Sequence, residues 1–158
     1  MRNHFRILAA EISRELANLA LLQEELAPLL PDDPQANPGA ASVRAIASIL
    51  HDFYSGIEKV FRRIAQDVDG EVPRGDNWHM DLLQRMTIPI PDVRPAVVNT
   101  DLSETLVEYL RFRHLFRNVY EFHLRWDKFS RLARGMAATL GQFQEELASF
   151  LRFLQDLR

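Results

Sequence analysis

The chain has 158 residues, 47% of them hydrophobic, enough for one compact core and consistent with a single domain over residues 1–158. A formal net charge of −3 with 26% charged residues excludes a disordered tail and a globally basic nucleic-acid coat, so any anion-binding surface must be local. With no cysteine in the sequence, disulfide frameworks, thiolate catalysis and thiol-based zinc sites are excluded as well.

Apolar residues recur at helical spacing from Asn3 to about Ala27, through Phe5, Leu8, Ile12, Leu16, Leu19, Leu22 and Leu26, which predicts a long amphipathic helix. Glu11, Arg14 and Glu15 interrupt this run and no small-residue cleavage site follows, unlike a secretion signal. No stretch reaches the roughly 20 apolar residues of a membrane span. A soluble, cytoplasmic protein with no membrane association is the expectation.

Pro28, Pro31, Pro34 and Pro38 then forbid regular helix and mark a connector. A second helix is expected from Ala41 or Ser42 to about Val68, its stripe running through Val43, Ile46, Ile49, Leu50, Phe53, Ile57, Val60, Phe61 and Ile64. Gly56, in its middle, costs about 1 kcal/mol relative to Ala and points to a tight helix crossing. "DGEVPRGDN" ends the helix. "NWHMDLLQRM" predicts a short helix capped by Asn77, with Trp78, Leu82 and Leu83 inward. "TIPIPDVRPAVVNTD" has three prolines and reads as a loop across the bundle. Ser103 is the expected cap of a fourth helix, and a last one runs from about Asp127 to Leu157. Four long helices and one short one, without a strand pattern, predict an all-α antiparallel bundle.

The chemistry concentrates in "YLRFRHLFRNVYEFHLRW", residues 109–126, with four arginines and two histidines among aromatic residues. From Leu110 to Arg134 there are seven Arg or Lys against Glu121 and Asp127, a local balance of +5 that leaves −8 for the rest. At about 100° per residue, counted from Arg113, the residues Phe112, Leu115, Phe116 and Val119 fall between roughly −60° and −160°, the expected core face. Arg113, Arg117 and Tyr120 form a column beside it, and His114 and Asn118 form a second, near +100° and +140° by the same arithmetic. Arginines at i and i+4 repel, so they imply either acids from other helices or a bound phosphate, which the guanidinium fork matches. Spacing alone does not choose between a salt-bridged solvated face and a phosphate site.

These residues resemble the HepT-like members of the HEPN superfamily, small all-helical RNA endonuclease toxins. Their late helix carries an Arg, four residues, a His, one residue and a Tyr. "RHLFRNVY" aligns as Arg113, four residues, Asn118, Val119 and Tyr120. The segment "DFYSGIEKVFRRIAQDVDGEVPRGDNWHMDLLQRM", followed by "RP" and "LRFRH", extends the likeness over most of the chain.

The resemblance implies a HEPN-like bundle acting as the toxin of a toxin–antitoxin pair. It implies a homodimer with two motifs in one cleft, and metal-independent ribonuclease activity on tRNA or mRNA with no cofactor. Arg113, with Arg117 and Arg111, would bind RNA phosphate; Arg113, His114 and Asn118 would form the catalytic set. Tyr120 would be the site of adenylylation by a partner minimal nucleotidyltransferase antitoxin. Tyr54 and Glu58 match family positions, where Glu58 would orient an arginine of the late helix; the alternative is an ordinary helix pair with Lys59 and Arg62.

Asn118 departs from the motif, because an amide does not exchange protons near neutral pH. His114, four residues earlier on the same face, is one replacement. His123, in an Arg117, five residues, His pattern, is another, although a continued helix would turn it toward the core as a structural histidine. A catalytically inactive relative that still binds RNA or the nucleotidyltransferase is the alternative reading, and a salt-bridged helical scaffold is a third. His79 and Asp81, two apart in "WHMD", fall on different sides of a helix, which argues against a metal pair. His4 and His51 have no acidic or histidine partner one turn away.

Overall fold

A computed structural model of the chain describes residues 2–118 and 123–157, most of them helical. The helices are α1 (Arg2–Leu26), α2 (Ala40–Ile64), α3 (Trp78–Arg85), α4 (Thr100–Asn118) and α5 (Trp126–Asp156), with a 3-10 turn at Ala27–Leu29. Among the described residues the only β-type pairing is an isolated bridge between Ile90 and Arg94. None of these helices is long and apolar enough to cross a membrane.

The pairings show how the helices run. Along α1 and α2, His4 meets Asp67, Glu11 meets Arg63 and Glu15 meets Lys59, so one number falls as the other rises. The same reversal joins α4 to α5, where Phe112 packs on Phe129, and Tyr109 donates its hydroxyl proton to the Leu132 carbonyl at 2.7 Å. The long helices form an antiparallel bundle in which α2 and α5 each touch both α1 and α4, and α3 lies against α2 and α4. Buried side chains from all five helices make one core, with Phe53, Phe61, Tyr109, Phe143 and Phe150 at its centre. Two edge-to-face pairs, Phe53 on Tyr109 and Phe61 on Phe143, tie α2 to α4 and α5.

Gly56 marks the α1–α2 crossing: a Cβ built there would stand 2.8 Å from Leu19 Cδ2. Regular α2 ends at Ile64 and continues as a single π turn, Ala65–Asp69, closed by Gly70 in the left-handed region (φ 85°). This wider turn presents Asp69 to Arg94, whose Nε and Nη2 donate to the two carboxylate oxygens at 2.6 and 3.0 Å. Arg94 also donates to the carbonyls of Ile88 and Pro95, so a fully buried guanidinium organises the proline-rich loop. That loop runs from α3 to α4 and fixes how both approach α2.

Two expected caps are corrected. Asn77 precedes α3 but its side chain makes no capping bond. Helix α4 begins at Thr100, before Ser103. Its cap is Asn99, whose Oδ1 accepts the Leu102 N–H at 2.8 Å, while Ser103 is buried in the following turn. Both are cap-forming residue types. The choice falls to Asn99 because its own N–H is also fixed, donating to Glu146 of α5 at 2.8 Å.

Candidate functional site

The buried residues of α4 decide which way Arg113 points. On the same 100° arithmetic Leu102, Leu106 and Tyr109 lie within about 40° of Arg113, so the core direction runs close to Arg113 itself. The expected core face was displaced: Leu115, roughly opposite, is 51% exposed. Phe112 and Phe116 remain packed, the latter against His51 of α2. Val119 and Tyr120 lie outside the described residues. His123, expected on the core face, is exposed.

Because Arg113 faces inward, it needs a buried counter-charge, and α2 supplies one. Glu58, 4% exposed, accepts a hydrogen bond from Arg113 Nη1 on Oε1 at 3.0 Å. Its other oxygen, Oε2, lies 2.8 Å from His79 Nδ1 of α3. A carboxylate can only accept, so Nδ1 carries the proton and the opposite nitrogen, Nε2, keeps its lone pair in the neutral ring. Trp78 stacks on the His79 ring with 3.6 Å between centroids, and Arg62 lies over Trp78. Three helices thus converge on one carboxylate.

Tyr54, one turn before Glu58, is fully buried, and its hydroxyl has no hydrogen-bond partner among the described residues. Burial pushes its phenol well above the usual range; the Glu58 carboxylate adds to this and the Arg113 cation opposes it. Arg113 Nε is a second buried donor without a partner there.

Above this floor opens a groove of about 570 Å³ between the start of α3 and the second half of α4. One wall includes Asp76, just before α3, and His79 in its first turn; the α4 wall includes Arg111, Arg113, His114, Arg117 and Asn118. Arg113 and Arg117 of the first expected column and His114 and Asn118 of the second therefore border the same space, and Arg111 joins them. Asn118 is turned away from chemistry of its own: its Nδ2 donates to the His114 carbonyl at 2.6 Å, one turn back. Among the described residues no group of three or more His, Cys, Asp or Glu side chains is placed to hold a metal.

A family model described as "HepT-like protein" matches residues 45–154, most of the chain and all of the elements that build the groove. The chain belongs to the HepT-like family. No curated protein and no solved structure matches it. Within this HepT-like bundle, Tyr54, Glu58, Arg113, His114, Arg117 and Asn118 gather around one groove and its floor.

His79 is the residue that sequence reasoning passed over. Its nearest acid in sequence, Asp81, is on the wrong side of α3, and its true partner lies 21 residues upstream on another helix. The signal available was chemical, not periodic: a histidine next to a tryptophan at the start of a short helix, preceded by a helix that carries Glu58 between the apolar residues Ile57 and Val60.

Proposed function

We propose that this HepT-like protein is the toxin member of a toxin–antitoxin pair, which binds RNA in the α3–α4 groove and cleaves it without a metal ion. The observation that carries this reading is the convergence of Arg111, Arg113 and Arg117 on one groove beside two imidazoles, with Arg113 fixed by buried Glu58. Guanidinium groups held in place hold a phosphodiester and stabilise the charge that develops on its oxygens. A homodimer that brings two such grooves together, and a minimal nucleotidyltransferase partner that modifies Tyr120, complete the proposal.

The second reading, an inactive relative that retains RNA or partner binding, is favoured by Asn118, whose amide is engaged with its own helix and moves no proton. Cleavage of labelled tRNA and mRNA in EDTA separates the two. Wild-type cutting that is lost in Arg113→Ala supports the nuclease. Cutting that appears only in Asn118→His supports the inactive relative.

A further inference from the structure

We propose that His79, held by Glu58, is the proton acceptor of the groove, activating the ribose 2′-hydroxyl of an RNA strand whose phosphate lies against the arginines. The inference rests on the nuclease reading and supplies the group that Asn118 cannot. Three observations select His79 over His114.

First, its tautomer is fixed. Glu58 Oε2 accepts the Nδ1–H hydrogen bond at 2.8 Å, so in the neutral ring the bare Nε2 is the remaining polar atom, and the side chain is about one-third exposed, on the groove wall. A buried carboxylate behind an imidazole both orients the ring and stabilises the imidazolium that forms when it takes a proton. Second, the ring is immobilised by stacking on Trp78, and preorganisation is what a proton-transfer group needs. His114, by contrast, is exposed, and its ring has no hydrogen-bond partner among the described residues. Third, Glu58 holds Arg113 with its other oxygen, so a single carboxylate sets the positions of the phosphate-binding and the proton-accepting groups together. Glu58 is thus a positioning residue, one step removed from the substrate.

The step balances with the groups present. The 2′-oxygen bonds to the adjacent phosphorus as its proton passes to His79 Nε2. The bond from phosphorus to the 5′-oxygen then breaks, and the departing oxygen takes a proton from water, whose hydroxide is neutralised by the proton that His79 releases. The products are a 2′,3′-cyclic phosphate and a 5′-hydroxyl, and His79 returns its proton to solvent. Arg113 and Arg117 would face the non-bridging oxygens.

The test is cleavage of a short oligoribonucleotide in EDTA by the full chain and His79→Gln, beside binding of the same sequence as uncleavable 2′-deoxy strand. Loss of a proton-transfer group typically lowers the rate by roughly 10²–10⁴-fold. The proposal expects a fall of that order in His79→Gln with unchanged affinity for the deoxy strand, which also reports an intact groove. A substrate whose leaving 5′-oxygen is replaced by sulfur needs no acid, so it should not restore His79→Gln. Restoration would make His79 the acid and overturn the assignment. Wild-type-like cutting by His79→Gln overturns the inference and leaves the nuclease reading standing, whereas a wild type that cuts no RNA overturns both. Independently of activity, ring ¹⁵N spectra of the neutral imidazole in the wild type should report His79 protonated on Nδ1 and bare on Nε2, with that preference weakened in Glu58→Gln. The opposite tautomer in the wild type sinks the proposal.

Discussion

Glu58 is buried with both oxygens occupied, and each of its partners would be unfavourable without it. A charge held inside a protein is tolerated only when paired, and deleting one member of a buried pair typically costs about 3–5 kcal/mol because the other charge stays behind. Glu58→Ala should therefore lose stability on that order in urea unfolding, since Arg113 has little route to water. Glu58→Gln, which keeps an acceptor for one partner, should lose less. If Glu58→Ala unfolds like the wild type, the floor of the groove is not held by this carboxylate. Tyr54, beside it, makes the opposite case. Its hydroxyl is buried without a partner, so Tyr54→Phe removes an unsatisfied group and should be neutral or stabilising at neutral pH. Linkage gives the sign at high pH. Because burial raises the Tyr54 pKa in the folded state, the unfolded chain ionises first as pH rises past about 10. The folded state then loses stability. Tyr54→Phe should flatten that alkaline loss in unfolding curves collected on either side of pH 10, and an unchanged slope would contradict the burial argument.

Gly56 shows where two helices of this bundle meet closely because a side chain has been given up. At the α1–α2 crossing the built Cβ of Gly56 would meet the end of Leu19, itself buried. Alanine would gain about 1 kcal/mol in helix propensity, but overpacking a tight contact costs roughly 1–3 kcal/mol. Gly56→Ala should thus be net destabilising, and in a Leu19→Ala background the same change should become stabilising. A double-mutant cycle by thermal unfolding reads the reversal of sign. The glycine also shows how far a sequence can be read at this scale. A glycine inside an otherwise strong helical stripe signals a crossing, but not which residue crosses it. The grouping of Arg113, Arg117, His114 and Asn118 was legible because all four ride on one helix, where residue spacing fixes relative angles. The direction of the core was not, since angle arithmetic has no external reference; Leu102, Leu106 and Tyr109 supplied it and sent Leu115 outward. The bond between His79 and Glu58 depends on how α3 docks, which the buried Arg94–Asp69 pair governs through a loop that carries no periodicity at all.

Across the whole molecule the net charge is −3, so RNA feels no general attraction and any binding must come from a local surface, which the proposal places in the groove. Ionic strength can count the charges that do the binding. Each phosphate neutralised on a single strand contributes about −0.7 to the slope of log affinity against log salt. Arg111 and Arg117 are exposed and form no ion pair among the described residues, while Arg113 is already neutralised by Glu58. Two effective cations per chain predict a slope of about −1.4, shallow beside a basic nucleic-acid coat. Arg117→Ala should reduce it by about 0.7. Arg113→Ala should leave the slope nearly unchanged while weakening affinity at every salt concentration, because it displaces Glu58 and His79 instead of removing a free charge. A titration of fluorescent oligoribonucleotide at several salt concentrations tests the wild type and both variants together. If Arg113→Ala lowers the slope as Arg117→Ala does, the Glu58 pair opens when RNA binds and Arg113 reaches the phosphate as a full cation. If none of the slopes differs from zero, the arginines of α4 do not contact RNA, and the groove serves the bundle alone.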